Sequence, residues 1–128
     1  MNNSKKNNIL DLVNPDIYNC IVWSYRVSLS RLLVRVDEGE FDKNFFYLIF
    51  EEVLYFEGPL RWGGANFCLG TDEECVKILH RRGLNGIPEG ELLNLYSLFI
   101  VELPDSEVVK IVASNNIYRT SDIPQDFL

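Results

Sequence analysis

A chain of 128 residues with 47% hydrophobic and 24% charged side chains has the composition of a single globular domain, which excludes general disorder and gives a core that closes without metal or disulfide. Nineteen acidic residues against twelve basic ones leave a net charge of −7, which opposes binding to nucleic-acid phosphates or an anionic membrane and steers the molecule toward a basic partner. No stretch approaches the ~20 apolar residues of a membrane helix, and MNNSKKNNILDLV lacks the apolar run of a secretory signal, so a bacterial-type cytoplasmic protein is expected.

Residues 1–8 are polar and asparagine-rich, the pattern of a disordered tail ahead of one domain at 9–128. A short apolar element at Ile9–Val13 is punctuated by Asn14-Pro15-Asp16. From Ile17 to Val36, β-branched and aromatic residues predict two strands or one bent strand, broken near Ser24–Ser28. Leu32, Val34 and Val36 share one face there, and Arg31, Leu33 and Arg35 the other. DEGEFDKN at 37–44 signals a turn. The strand that follows, FFYLIFEEVLYF at 45–56, is apolar on both faces apart from one glutamate on each. That pattern fits a central strand covered on both sides, or a strand that bends near Glu51.

The punctuation is densest at TDEECVKILHRRG. Thr71 is a candidate N-cap, Glu74 completes a capping box, acids fill the first turn, and Gly83 stands at the C-terminal end. The expected helix covers about 72–82 and buries Cys75, Val76, Ile78, Leu79 and the aliphatic stem of Arg82. LNGIPEGE is a loop, and LLNLYSLFIVEL and VVKIVASNNIYR form a β-hairpin about a turn at Pro104. Ile123, Phe127 and Leu128 are the apolar anchors of the closing tail. The fold class predicted is α+β, an antiparallel curved sheet or partly open β-barrel with one main helix packed on it.

The motifs that carry chemistry fail on spacing. GGANFCLGTDEEC places glycines before a helix, as a phosphate loop does, but no lysine follows, and Asp72, Glu73 and Glu74 occupy the positive end of the helix. Cys20, Cys68 and Cys75 are an odd set without framework spacing, which predicts free, buried, unreactive thiols in a reducing compartment. His80 is the only histidine, and on a helix it diverges from Cys75, so neither a zinc site nor a nucleophile–base pair is expected. DEGEFD lacks the ligand pattern of an EF-hand. No cofactor and no metal is expected.

Two constellations remain. Glu51 and Glu52 interrupt an apolar strand, and as neighbours on a strand they would face opposite sides; the inward one is expected to pair with Arg31 or Arg35. Trp23, Tyr25, Tyr55, Trp62, Tyr96 and Tyr118 are candidates for an aromatic contact surface. Trp62 with Gly63 and Gly64, and Trp23, Tyr25 and Tyr55, are the binding residues singled out, the glycines because they permit close backbone approach. The expected function is a small acidic intracellular binding protein without catalytic activity, of the immunity type that inhibits a basic protein. The alternatives are a small-ligand-binding protein or an enzyme using a buried glutamate, and a homo-oligomeric structural subunit, with a homodimer compatible with either binding reading.

Overall fold

The computed structural model describes residues 8–39 and 44–127. Its strands are β1 (Asn19–Arg26), β2 (Arg31–Asp37), β3 (Phe45–Phe50), β4 (Tyr55–Glu57), β5 (Arg61–Gly63), β6 (Cys68–Leu69), β7 (Tyr96–Glu102), β8 (Val108–Ser114) and β9 (Ile117–Thr120). Helices α1 (Asp72–Leu79) and α2 (Glu89–Leu95) lie between β6 and β7. The strands form two antiparallel sheets, one ordered β5-β1-β2-β3-β9 and the other β4-β8-β7-β6. The fold is α+β, as the sequence predicts, and neither sheet closes into a barrel.

Strand alternation builds the layers. Leu32, Val34 and Val36 of β2 and Phe46, Leu48 and Phe50 of β3 turn inward to meet Phe99 and Val101 of β7 and Val109, Ile111 and Ala113 of β8. The opposite face of the second sheet, through Leu98 and Val112, packs on Cys75, Ile78, Leu79 and Leu92 of the helices. The outer face of the first sheet, at Leu33, Tyr47 and Ile49, is covered by Ile123 and Phe127. This covering on both sides explains why β3 lacks polar alternation. The tail therefore packs back through two of its three expected anchors, and Leu128 lies outside the described residues.

The structure corrects several boundaries. Of the tail expected at 1–8, only Asn8 is described, and it is buried, its side-chain oxygen accepting from the Leu10 N–H at 2.9 Å. Most of the turn at 37–44 likewise lies outside the described residues. The break expected at Ser24–Ser28 separates into a bulge between Val22 and Ser24 and a turn at Val27–Ser30. The strand predicted at 45–56 ends at Phe50; Glu51–Leu54 then carries the chain from the first sheet to the second, where it resumes as β4. The segment at 89–95, expected as loop and strand, is helical because Pro88 accepts from the Glu91 and Leu92 N–H groups and Leu92 is needed in the helix layer.

α1 follows its punctuation. The Thr71 hydroxyl accepts from the Glu74 N–H at 3.1 Å, and the buried residues are Cys75, Val76, Ile78 and Leu79. The capping box is only half formed, because the Glu74 carboxylate accepts from the Lys110 ammonium on β8. Beyond Leu79 the helix widens into a π turn at His80–Leu84, where Gly83 at φ 96° reverses the chain. Thr71→Ala removes the cap and is expected to cost about 1 kcal/mol, seen as a lower urea midpoint at unchanged m.

Candidate functional site

The residues singled out from the sequence fall in four places. Trp62 is core rather than surface: only 7% exposed, its ring lies edge-on to Phe67 at 6.4 Å. It pairs with Cys20 across β5 and β1, and that inward register removes it from any contact surface. Gly63 and Gly64 do line a cleft of about 510 Å³, with Asp16, Asn66, Val101, Glu102 and Pro104. Gly64 adopts φ 101°, and its N–H donates to the Tyr18 carbonyl at 2.7 Å, so its place is explained by a left-handed backbone, whereas Gly63 ends β5. Tyr55 lies on the helix side, its hydroxyl donating to Glu57 and its ring 5.8 Å from the Arg82 guanidinium.

Trp23 and Tyr25 are about half exposed, at 47% and 46%. Arg35 holds Trp23 in place. Its guanidinium stacks on Phe45 at 4.1 Å and on Trp23 at 5.4 Å, donates to the Tyr47 hydroxyl at 3.1 Å, and meets Asp37 at 3.4 Å. Among the described residues an acid beside Arg35 is Asp37, two residues along its own strand, where the sequence pointed to Glu51 or Glu52. The geometry explains the difference, since β2 pairs Arg35 with Tyr47, well before the chain reaches Glu51. Arg31 lies with its guanidinium 5.5 Å from the centre of the Phe127 ring.

A site emerges where Trp23 and Tyr25 lead into the turn. β5 pairs only with Asn19–Ile21, and the Val22 N–H makes one more bond, to the Leu60 carbonyl at 2.8 Å. Among the described residues no strand pairs with Trp23–Arg26 on that side. Beside this open edge stand Trp23, whose ring also lies edge-on to Tyr47 at 6.4 Å, Tyr25 and Leu60 at 69% exposure, and in the turn that follows Val27 at 81% and Leu29 at 71%. Scattered exposed apolar residues are ordinary, but a run along one free strand edge is the form an interaction surface takes.

Leu29 also opens a cleft of about 470 Å³ lined by Ser30, Arg31, Glu51, Glu52, Leu54 and Tyr96. It lies at the seam where the chain crosses between sheets, and the Val53 N–H donates to the Ser30 carbonyl at 2.9 Å to staple its two rims together. Leu29, Ser30 and Glu52 all hold positive φ (69°, 47° and 51°), a conformation that costs non-glycine residues free energy and recurs at binding sites. The left-handed turn at Glu52 has a direct effect. It interrupts strand alternation, so Glu51 and Glu52 line the same cleft, contrary to the expectation that they would face opposite sides. Neither is buried in the core: Glu51 is half-buried and Glu52 exposed. Burial first, and then the nearby Glu52 carboxylate, raise the Tyr96 phenol pKa.

The three thiols are free, Cys20 and Cys75 buried and Cys68 half-buried, and burial is the main cause pushing all three pKa values up, away from the nucleophilic thiolate. Among the described residues no three metal-ligating side chains converge, and no helix is long and apolar enough to cross a membrane. Sequence reasoning missed Val27, Leu29 and Leu60. The signal available was the alternation Tyr25, Val27, Leu29, which continues the apolar pattern of a strand into residues that form a turn. No protein-family model matches the chain, and no curated protein or solved structure is significantly similar to it.

Proposed function

We propose that this is a binding protein that acts by surface complementarity, with the open edge of β1 and the adjoining turn as its contact surface. The observation that carries the reading is the run of exposed apolar side chains Trp23, Tyr25, Val27, Leu29 and Leu60 beside a strand edge with no partner among the described residues. Trp and Tyr are favoured as interface anchors because they bury large rigid areas at low entropic cost. The net charge of −7 selects a basic partner, whose approach it accelerates and whose positive surface it complements. An inhibitor of the immunity type, seated on the basic surface of the protein it neutralises, fits both features.

The test is affinity capture from native lysate with the wild type and with a Trp23→Ala/Leu29→Ser double variant. The wild type should retain a basic protein near 1:1, with retention falling as salt rises, and the variant should lose it by roughly 30-fold or more, the scale of removing an aromatic anchor. Equal capture by both baits, or none by either, refutes the reading. The same open edge favours a second reading, pairing with another copy of this chain. Sedimentation velocity separates the two: a concentration-dependent dimer abolished by the double variant supports self-association, and a monomer leaves the edge to a different partner.

A further inference from the structure

We infer that the cleft between the Val27–Ser30 turn and the Glu51–Leu54 link receives a single organic cation, the ammonium or guanidinium of a lysine or arginine side chain presented by the bound protein. This rests on the preceding proposal, since the cleft opens from the same edge through Leu29, and it names the chemistry that the edge recognises.

Charge supports it first. Glu51 and Glu52 share the lining with Arg31, so carboxylates outnumber basic groups there and favour a cation. Shape supports it next. The remaining walls are the aliphatic side chains of Leu29 and Leu54 and the Tyr96 ring, surfaces suited to the methylene stem of a long basic side chain whose charged head remains among the carboxylates. A cation near the Tyr96 ring also gains from its electron-rich face. At about 470 Å³ the space lies within the ordinary range of ligand sites and admits such a side chain together with water. Finally, the left-handed turn at Glu52 brings both carboxylates to one lining, an arrangement a regular strand would forbid. The Gly63-Gly64 cleft also carries two acids, Asp16 and Glu102, but no aromatic ring stands in its lining to meet a cation.

The test uses the full chain, isotopically labelled for amide NMR, and two probes: Nα-acetyl-lysine methylamide and Nα-acetyl-norleucine methylamide, which keeps the four-carbon stem and lacks the ammonium. At low salt the lysine probe should produce saturable shifts in the millimolar range at the amides of residues 29–31, 51–54 and 96, and the norleucine probe should not. A Glu51→Gln/Glu52→Gln variant should bind the lysine probe at least 10-fold more weakly. Should that variant unfold, Glu52→Gln alone, together with wild type in high salt, provides the same comparison. Identical behaviour of the two probes, shifts centred elsewhere, or undiminished binding by the glutamine variants overturns the inference. These outcomes are separate from failure of the interface proposal, which is decided by whether Trp23 and Leu29 govern protein capture. Capture that depends on those two residues but not on the glutamates sinks the cation site alone.

Discussion

Phe50→Ala will lower stability by about 3–5 kcal/mol, the range for removing a large aromatic from a packed core. Phe50 is fully buried at the end of β3, and its ring meets Phe67 at 5.9 Å and Phe99 at 5.6 Å. Phe99 belongs to the second sheet and Phe67 to the loop before β6, so one side chain joins the two sheets and the connection between them. No neighbour is free to collapse into the space, because Leu48, Val101 and Ile111 around it are already fixed in strands. Equilibrium urea unfolding should show a large fall in midpoint, whereas Tyr118→Ala, at a half-exposed ring on β9, should stay within about 0.5 kcal/mol of wild type. A small effect at Phe50 would mean that the sheets are not joined through this ring.

Alkali should destabilise the protein more steeply than its surface carboxylates would suggest. Burial, with a smaller contribution from Asp37, pushes the Cys20 thiol up to about 12 from its ordinary 9.0. Between those values the unfolded chain releases the Cys20 proton while the folded chain retains it. Stability is then lost as pH rises, by about 1.4 kcal/mol per pH unit for this group, and is unaffected by it below pH 9. Cys68, Cys75, Tyr55, Tyr96 and Lys110 are all raised as well, and each acts in the same direction. Thermal melts from pH 8 to 11 should fall progressively, and Cys20→Ala should flatten the dependence while lowering stability at neutral pH. An unchanged slope in that variant would remove Cys20 from the account.

The parts of this fold legible in the sequence were those governed by local rules. Thr71, the acids after it and Gly83 announced α1, and Pro104 announced the hairpin turn, because caps and turns depend on the few residues that form them. Phe45–Phe50 was readable as a strand covered on both faces, although which element covered each face was not. What escaped was set by tertiary context. Glu52 has no glycine's freedom to mark a left-handed turn, so nothing local revealed that the strand would stop at Phe50 and cross to another sheet. α2 was obscured because Leu92, Leu93 and Leu95 run into the apolar strand after them, even though Pro88 and Glu89 carried a helix-start signal. The site suffered from the same limit. Trp23 and Tyr25 were found by residue type, and Trp62, of the same type, was lost to the core, because exposure is decided by neighbours that the sequence does not place.

The crossing at Glu51–Leu54 also has a bearing on how the chain reaches this state. The Leu54 N–H donates to the Val112 carbonyl and the Ser114 N–H to the Glu51 carbonyl, Tyr55 pairs with Val112, and Phe50 pairs with Ile117. Phe50 opposite Leu32 and the Val53 N–H on the Ser30 carbonyl can hold the segment locally, but its bonds to β8 and the pairing of β3 with β9 await strands more than fifty residues on. The central pairs of the two sheets, β1–β2–β3 and β7–β8, join strands adjacent in the chain, so the loop-closure cost falls on the outer pairs β1–β5, β3–β9 and β4–β8, whose distant pairing is the slow part of folding. The apolar edge of β1, which the β1–β2 hairpin can present early, then waits through that interval without the rest of the molecule around it, the stage at which unwanted association begins.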